Sequence, residues 1–174
     1  MSQEIINRVA NSKLETIDLE LFFPKIERIS FDIKPWLKDE LFLLEKEFRE
    51  RVKNFDWKKY KNKVVYITCS NDAIIPDWAY ILVSSQFNSH EIENVIGSKE
   101  ILNIKLITDM VNAFDFSIYK GKPVIIKGCS DQKIPLSAYS ILLEKLQLEA
   151  KSIMFGEACS SVPIYKSSKN PNEV

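Results

Sequence analysis

The stretch Val64-Val65-Tyr66-Ile67-Thr68-Cys69-Ser70-Asn71-Asp72-Ala73-Ile74-Ile75-Pro76 decides how this chain folds. Its first part is an unbroken β-branched and aromatic run, which suits a strand buried in a parallel sheet. The Cys-Ser step ends that run. Pro76 then falls where a proline is best tolerated, in the first turn of a helix. Strand, turn and helix in this order are the half-unit of an α/β layered domain.

The stretch has a second copy. Val124-Ile125-Ile126 matches Val64-Val65-Tyr66, and Cys129-Ser130 matches Cys69-Ser70. Ile134-Pro135-Leu136-Ser137-Ala138-Tyr139 matches Ile75-Pro76-Asp77-Trp78-Ala79-Tyr80. Upstream, Phe55-Asp56-Trp57 recurs as Phe114-Asp115-Phe116, and Tyr60-Lys61-Asn62-Lys63 as Tyr119-Lys120-Gly121-Lys122. Downstream, Ile96-Gly97 recurs as Phe155-Gly156. The offset is about 59 residues, with Pro123 read as one insertion and Asn71 as one compensating extra residue. The copies span about 41–100 and 100–159.

Each copy has the same elements. A short apolar run (Leu41-Phe42-Leu43-Leu44; Glu100-Ile101-Leu102-Asn103) is expected as a strand. A helix follows, with Leu44, Phe48, Val52 and Phe55 on one face in the first copy and Ile104, Ile107, Val111 and Phe114 in the second. The buried strand comes next, then a helix carrying Tyr139, Leu142, Leu143 and Leu146 in the second copy, then a strand ending at Gly97 or Gly156. The expected fold is therefore α/β, a layered and largely parallel sheet built from an internal β-α-β-α-β duplication. An N-terminal arm, about residues 1–26, precedes it. Arg28-Ile29-Ser30-Phe31-Asp32-Ile33 and Ser161-Val162-Pro163-Ile164-Tyr165 read as added strands. Residues 1–166 are expected as one domain, and the polar residues 167–174 as a disordered tail.

Composition narrows the function classes. With 174 residues the chain can bury one full core. Its formal net charge is zero, without the clustered basic excess of a nucleic-acid-binding surface. The run Lys58-Lys59-Tyr60-Lys61-Asn62-Lys63 reads as a solvated connection between helix and strand. No apolar run approaches the ~20 residues of a membrane span, and the N-terminus lacks a signal-peptide layout. A cytoplasmic location is expected, where thiols stay reduced. The only glycines are Gly97, Gly121, Gly128 and Gly156, too few and too scattered for a phosphate loop or a dinucleotide fingerprint.

The three cysteines are Cys69, Cys129 and Cys159, and a serine follows each. Cys69 and Cys129 are expected at the carboxyl ends of strands, the edge where open parallel sheets bind ligands. Cys159 follows a strand too, at a place the repeat does not supply. Soft thiolates select zinc, copper(I) or iron–sulfur species, and three of them need one further ligand for a tetrahedral site. His90 (the only histidine), Asp72, Asp131, a water or a partner's group could supply it. Ser70, Asp72, Ser130 and Asp131 flank the thiols and are candidates to orient a bound group. No Cys-x-x-Cys pair supports this local chemistry. The cysteines read equally well as small apolar residues at strand ends, or as one nucleophilic or redox thiol. A shared metal requires that the strands before Cys69 and Cys129 be near neighbours pointing the same way. His90 reads as a loop residue, Tyr80 and Tyr139 as core residues with hydroxyls at the rim, and Trp36, Trp57 and Trp78 as packing residues. Glu45-Lys46-Glu47-Phe48-Arg49-Glu50-Arg51 is the polar face of an amphipathic helix.

Several blocks resemble a known bacterial family. They are Asn7-Arg8-Val9-Ala10-Asn11-Ser12 with Asp18-Leu19-Glu20 and Pro24, Thr68 through Tyr80, Lys127-Gly128-Cys129-Ser130-Asp131, and Lys151 through Pro163. Together they resemble the family called domain of unknown function 2480, over nearly the whole chain. The resemblance carries no activity. It implies a link to iron–sulfur cluster assembly, with a protein partner from that process. The leading expectation is an accessory protein binding zinc or an iron–sulfur species through Cys69, Cys129 and Cys159. The alternative is a pseudo-symmetric binding or scaffold module with structural cysteines, and a thiol enzyme comes third.

Overall fold

The computed structural model describes residues 14–127, 134–157 and 160–168. The chain divides into two compact units, one of residues 25–105 and one of the N-terminal residues through Pro24 together with the chain from Leu106 onward.

In the unit of residues 25–105 the sheet is three parallel strands. They are β2 (Arg28–Asp32), β3 (Val64–Thr68) and β4 (Asn94–Ile96), in the order β2-β3-β4. β3 is central, which is why its run is continuously apolar. Helix α1 (Glu45–Asn54) buries Phe48 and Val52, and helix α2 (Asp77–Ser89) buries Ala79, Val83 and Phe87. Each set is spaced by four, so each helix turns one stripe to the core. That core joins Phe31, Ile33, Val65 and Ile67 from the sheet to the helix stripes and to Trp57. Phe31 meets the rings of Trp36, Phe55, Trp57, Tyr60 and Phe87 at centroid distances of 5.1 to 6.0 Å. Trp36 and Trp57 are packing residues here, and Trp57 also donates its indole N–H to the Val52 carbonyl at 3.1 Å. Trp78 packs on Phe48 at 5.9 Å.

The other unit has a four-stranded sheet of order β1-β5-β6-β7. Strands β1 (Glu15–Ile17), β5 (Pro123–Ile126) and β6 (Ser152–Glu157) are parallel, and β7 (Ser160–Lys166) returns antiparallel along β6. Helix α4 (Leu136–Glu149) buries Ala138, Leu142 and Leu146 against Ile17, Leu19, Val124, Ile126 and Ile153. Helix α3 (Lys99–Ala113) carries the chain across the division between the units; its Ile107 and Val111 belong to this second core.

The mixed α/β class and the largely parallel pairing are as the sequence indicates, and so are the strands at residues 28–32 and 160–166. The strands form two sheets rather than one. Leu41–Leu44 is not a strand: it contributes only an isolated bridge, Lys38 to Phe42. Residues 100–103 are the first turn of α3. A four-residue apolar run does not distinguish strand from helix, and Leu102 lies one helical turn from the buried Leu106. The first strand of each sheet comes instead from the N-terminal region, as β1 and β2.

Residues 59 apart occupy like places in the two units. Phe48 and Ile107, Val52 and Val111, Val65 and Val124, Ile67 and Ile126, Ala79 and Ala138, Phe87 and Leu146 are all buried core pairs. Asp56 and Asp115 each cap a short 3-10 helix, Trp57–Tyr60 and Phe116–Tyr119. Asn62 and Gly121 both hold a left-handed backbone, with φ of 64° and 69°. The spacing is the same before and after Cys69, so Pro123 is not an insertion. It pairs with Ser152 inside the sheet, and the residue 59 before it is Val64. In an apolar run buried on both sides a slip of one residue leaves the hydrophobic pattern intact, so the run alone does not fix its register. At constant spacing Cys69 corresponds to Gly128, and Ser70 to Cys129.

Candidate functional site

The edge at the carboxyl ends of β2 and β3 joins Asp32, Lys34, Glu40, Cys69, Ser70 and Asn71 in one network. β2 ends at Asp32 and β3 at Thr68, which are partners in register. Asp32 Oδ1 accepts from the Lys34 amide at 3.0 Å and the Ser70 amide at 3.1 Å. Partial burial pushes the Asp32 carboxyl up. The hydrogen bonds from Ser70 and Lys34 and the Lys34 charge together outweigh that, and they hold it below the usual carboxylate range. Lys34 Nζ itself lies 2.9 Å from Glu40 Oε2, and that bond raises its pKa.

Cys69 is half-buried, and its thiol donates to Asn71 Oδ1 at 2.8 Å. The same Asn71 oxygen accepts from the Ala73 amide at 3.3 Å, while its Nδ2 donates to the Glu40 carbonyl. Asn71 therefore braces the loop after β3 against the turn at Glu40. Tyr80, in the first turn of α2, has its phenol pushed up by burial first and then by its proximity to Cys69, Asp32 and Asp77. Beyond Asn71 and Glu40 lies an apolar groove of about 470 Å³. Leu41–Leu43 form one wall, and Asp72–Ile74 with Pro76 the other. Its rim residues Phe42 and Ile74 are 62% and 94% exposed, far above what packing inside the unit would leave.

The unit containing β1 has a related edge with one difference. Asp18 follows β1, and its Oδ1 accepts from the Glu20 amide at 2.9 Å, as Asp32 accepts from Lys34. Its other oxygen lies 2.8 Å from Lys127 Nζ. Burial pushes the Asp18 carboxyl up, but the bonds from Lys127 and the Glu20 amide and the Lys127 charge bring it below its ordinary value. Tyr139 matches Tyr80, its phenol raised by burial and then by Asp18 and Glu20.

Of the residues singled out from sequence, Cys69, Ser70 and Asp72 lie together in the loop after β3, with Ser70 and Asp72 exposed. Cys129, Ser130, Asp131 and Cys159 fall outside the described residues. Among the described residues no group of three or more His, Cys, Asp or Glu side chains converges as a metal site. The strands before Cys69 and Cys129 are β3 and β5, which belong to different sheets. Those before Cys129 and Cys159 are β5 and β6, which are parallel neighbours. His90 lies in the turn just after α2, as expected, and is half-buried. It caps α2, with its amide on the Phe87 and Asn88 carbonyls and its Nδ1 2.8 Å from the Gln86 carbonyl. Asp18, Asp32 and Lys127 carry the polar edges yet went unread in the sequence. The signal for the two acids is an Asp between apolar core residues, in Ile17-Asp18-Leu19 and Phe31-Asp32-Ile33.

Two α/β units, each closing the carboxyl edge of its parallel strands with a fixed aspartate, define a protein of mixed α/β class with a candidate ligand edge in each unit. The chain belongs to the family described as protein of unknown function (DUF2480), whose model matches residues 3–167. No curated protein and no solved structure matches it. Among the described residues no helix is long and apolar enough to cross a membrane.

Proposed function

We propose that this protein is an accessory binding and scaffold module that holds a segment of a protein partner at the β2–β3 edge. One observation carries this reading: the braced loop that carries Cys69, and whose Ser70 amide binds Asp32, also supplies one wall of the groove between Leu41–Leu43 and Asp72–Pro76. Cys69 has a structural role here, because its thiol proton is engaged by Asn71 within the loop. The groove presents exposed Phe42 and Ile74 beside acidic Asp72, so the partner segment is apolar with a basic residue. The test is an array of apolar octapeptides, each with one lysine, probed with the full chain and with the Phe42→Asp, Ile74→Asp double variant. Peptides bound by the parent and lost by the variant support the reading. A parent that binds none, or a folded variant that binds equally, overturns it.

A second reading is favoured by the pairing of β5 with β6. Cys129 and Cys159 follow these two parallel strands by three and two residues, so the chain leaves one sheet edge before both. In that reading they bind zinc or an iron–sulfur species, with the flanking Ser130 and Asp131 or a partner's group completing the set. The protein would then act in the reducing cytoplasm, beside a partner in iron–sulfur cluster assembly. Metal analysis and a visible spectrum of protein purified without air test this. Metal lost in Cys129→Ser and in Cys159→Ser but kept in Cys69→Ser supports it. Protein that neither carries nor takes up zinc or iron overturns it.

A further inference from the structure

The two aspartates that close the sheet edges differ in one respect. At the β1–β5 edge Asp18 receives the ammonium of Lys127, whose amide continues the pairing by donating to the Ile17 carbonyl at 2.9 Å. At the β2–β3 edge the residue in that place is Thr68, partner of Asp32 in register. Residues in register on neighbouring strands project to one face, so Thr68 stands where a lysine would reach Asp32. The backbone anchoring is the same in both: an amide two residues on binds Oδ1, from Glu20 to Asp18 and from Lys34 to Asp32. The one cation near Asp32 among the described residues, Lys34, has its Nζ on Glu40. Asp32 is thus held in place by the Ser70 and Lys34 amides and the Ser70 side chain, with no side-chain ammonium bound to it.

We propose that Asp32 receives the primary alkylammonium group of a ligand, in the place that Lys127 Nζ takes beside Asp18. Ser70 is bonded to it through its amide, and the Tyr80 phenol is close enough to feel its charge. The loop that carries Ser70 continues through Asn71 to Asp72, where one wall of the apolar groove begins. A quaternary ammonium, which has no N–H to donate, does not replace it. The inference deepens the binding reading above by naming the group recognised, but it can fail alone. Loss of ammonium binding leaves apolar peptides on the groove untouched, whereas loss of the groove leaves the Asp32 response in place.

The experiment is a two-dimensional amide NMR titration of the full chain with n-butylammonium, with tetramethylammonium, and with an acetylated Gly-Lys-Gly amide. Saturable shifts of the Ser70 and Lys34 amides by n-butylammonium, at least fivefold weaker with tetramethylammonium, are expected. Tighter binding of the tripeptide assigns the ammonium to a lysine of a partner, and binding no tighter than n-butylammonium assigns it to a free amine. Asp32→Asn keeps an acceptor for both amides and should lose the response. Thr68→Lys supplies the ammonium from within and should also lose it, while Lys127→Thr should create a new response at the Glu20 amide. Silent Ser70 and Lys34 amides in the parent, or an undiminished response in Thr68→Lys, would overturn the proposal.

Discussion

At the residue scale, single atoms decide most of what the edges do. Asp18 has its carboxyl held below the ordinary range, because the bonds and charge of Lys127 and the Glu20 amide outweigh the burial that pushes it up. A carboxyl depressed on folding stabilises the fold above its unfolded pKa of about 3.9, and that contribution is lost as pH falls through the folded value. Asp18→Asn should therefore cost about 1 kcal/mol at neutral pH. It should also flatten the loss of stability below about pH 4, seen as a smaller drop of the urea midpoint between neutral and acid. A second prediction concerns Gly97 and Gly156, whose φ angles of 136° and 123° lie where side chains are strained. A Cβ at Gly97 would meet Ile101 Cδ1 at 2.7 Å, the far end of a flexible chain; at Gly156 it would meet the Ser160 carbonyl oxygen at 2.6 Å. Both Ala variants should lose about 1–3 kcal/mol by urea unfolding, and Gly156→Ala the more, because backbone cannot step aside. Gly97 was visible in the sequence as a strand terminator and follows the end of β4, whereas Gly156, read the same way, lies inside β6 and pairs with Ser161. The aspartates were not visible, because one acid between apolar residues looks like any surface position until the strands on either side are paired.

At the element scale, the legible features were those that repeat. The spacing of four along α1 and α2 and the continuous apolar run of β3 follow from how much of each element is buried, and burial leaves a periodic trace. β1 left none. It is three residues long, and its pairing partner β5 lies more than a hundred residues away in the chain, so nothing local announces it. The same reasoning applies to the 59-residue correspondence between the units. Strands of continuous apolar residues leave a one-residue slip undetected, whereas the helices, with Ala79 and Ala138 both at 0% exposure, fix the spacing at 59. These two alanines sit where α2 and α4 meet their sheets, and no space remains for added atoms. Ala79→Leu and Ala138→Leu should each lower stability by about 1–3 kcal/mol, read from the thermal midpoint. Substitution of the exposed helix residue Ser85 by Leu should leave the midpoint nearly unchanged.

At the scale of the whole molecule, each unit has its own sheet, its own helix stripe and its own buried aromatic group. The single sheet expected from the strand–helix alternation is absent because the N-terminal region supplies two first strands, one to each sheet, so that neither sheet needs the other's strands. This arrangement bears on the cysteines. Cys69 belongs to the unit of residues 25–105, whereas the strands that precede Cys129 and Cys159 belong to the other. Separate cores also predict separate losses. Phe87 is fully buried among Phe31, Trp57 and Tyr60, and Phe87→Ala should cost about 3–5 kcal/mol. If the units open independently, that cost falls on one of them. Native-state hydrogen exchange should then show the amides of β2, β3 and β4 losing protection in the variant while those of β5 and β6 keep theirs. The matched variant Leu146→Ala, at the equivalent place in the other core, should give the reverse. Equal losses in both sheets from either variant would instead mean that the two cores open as one cooperative body.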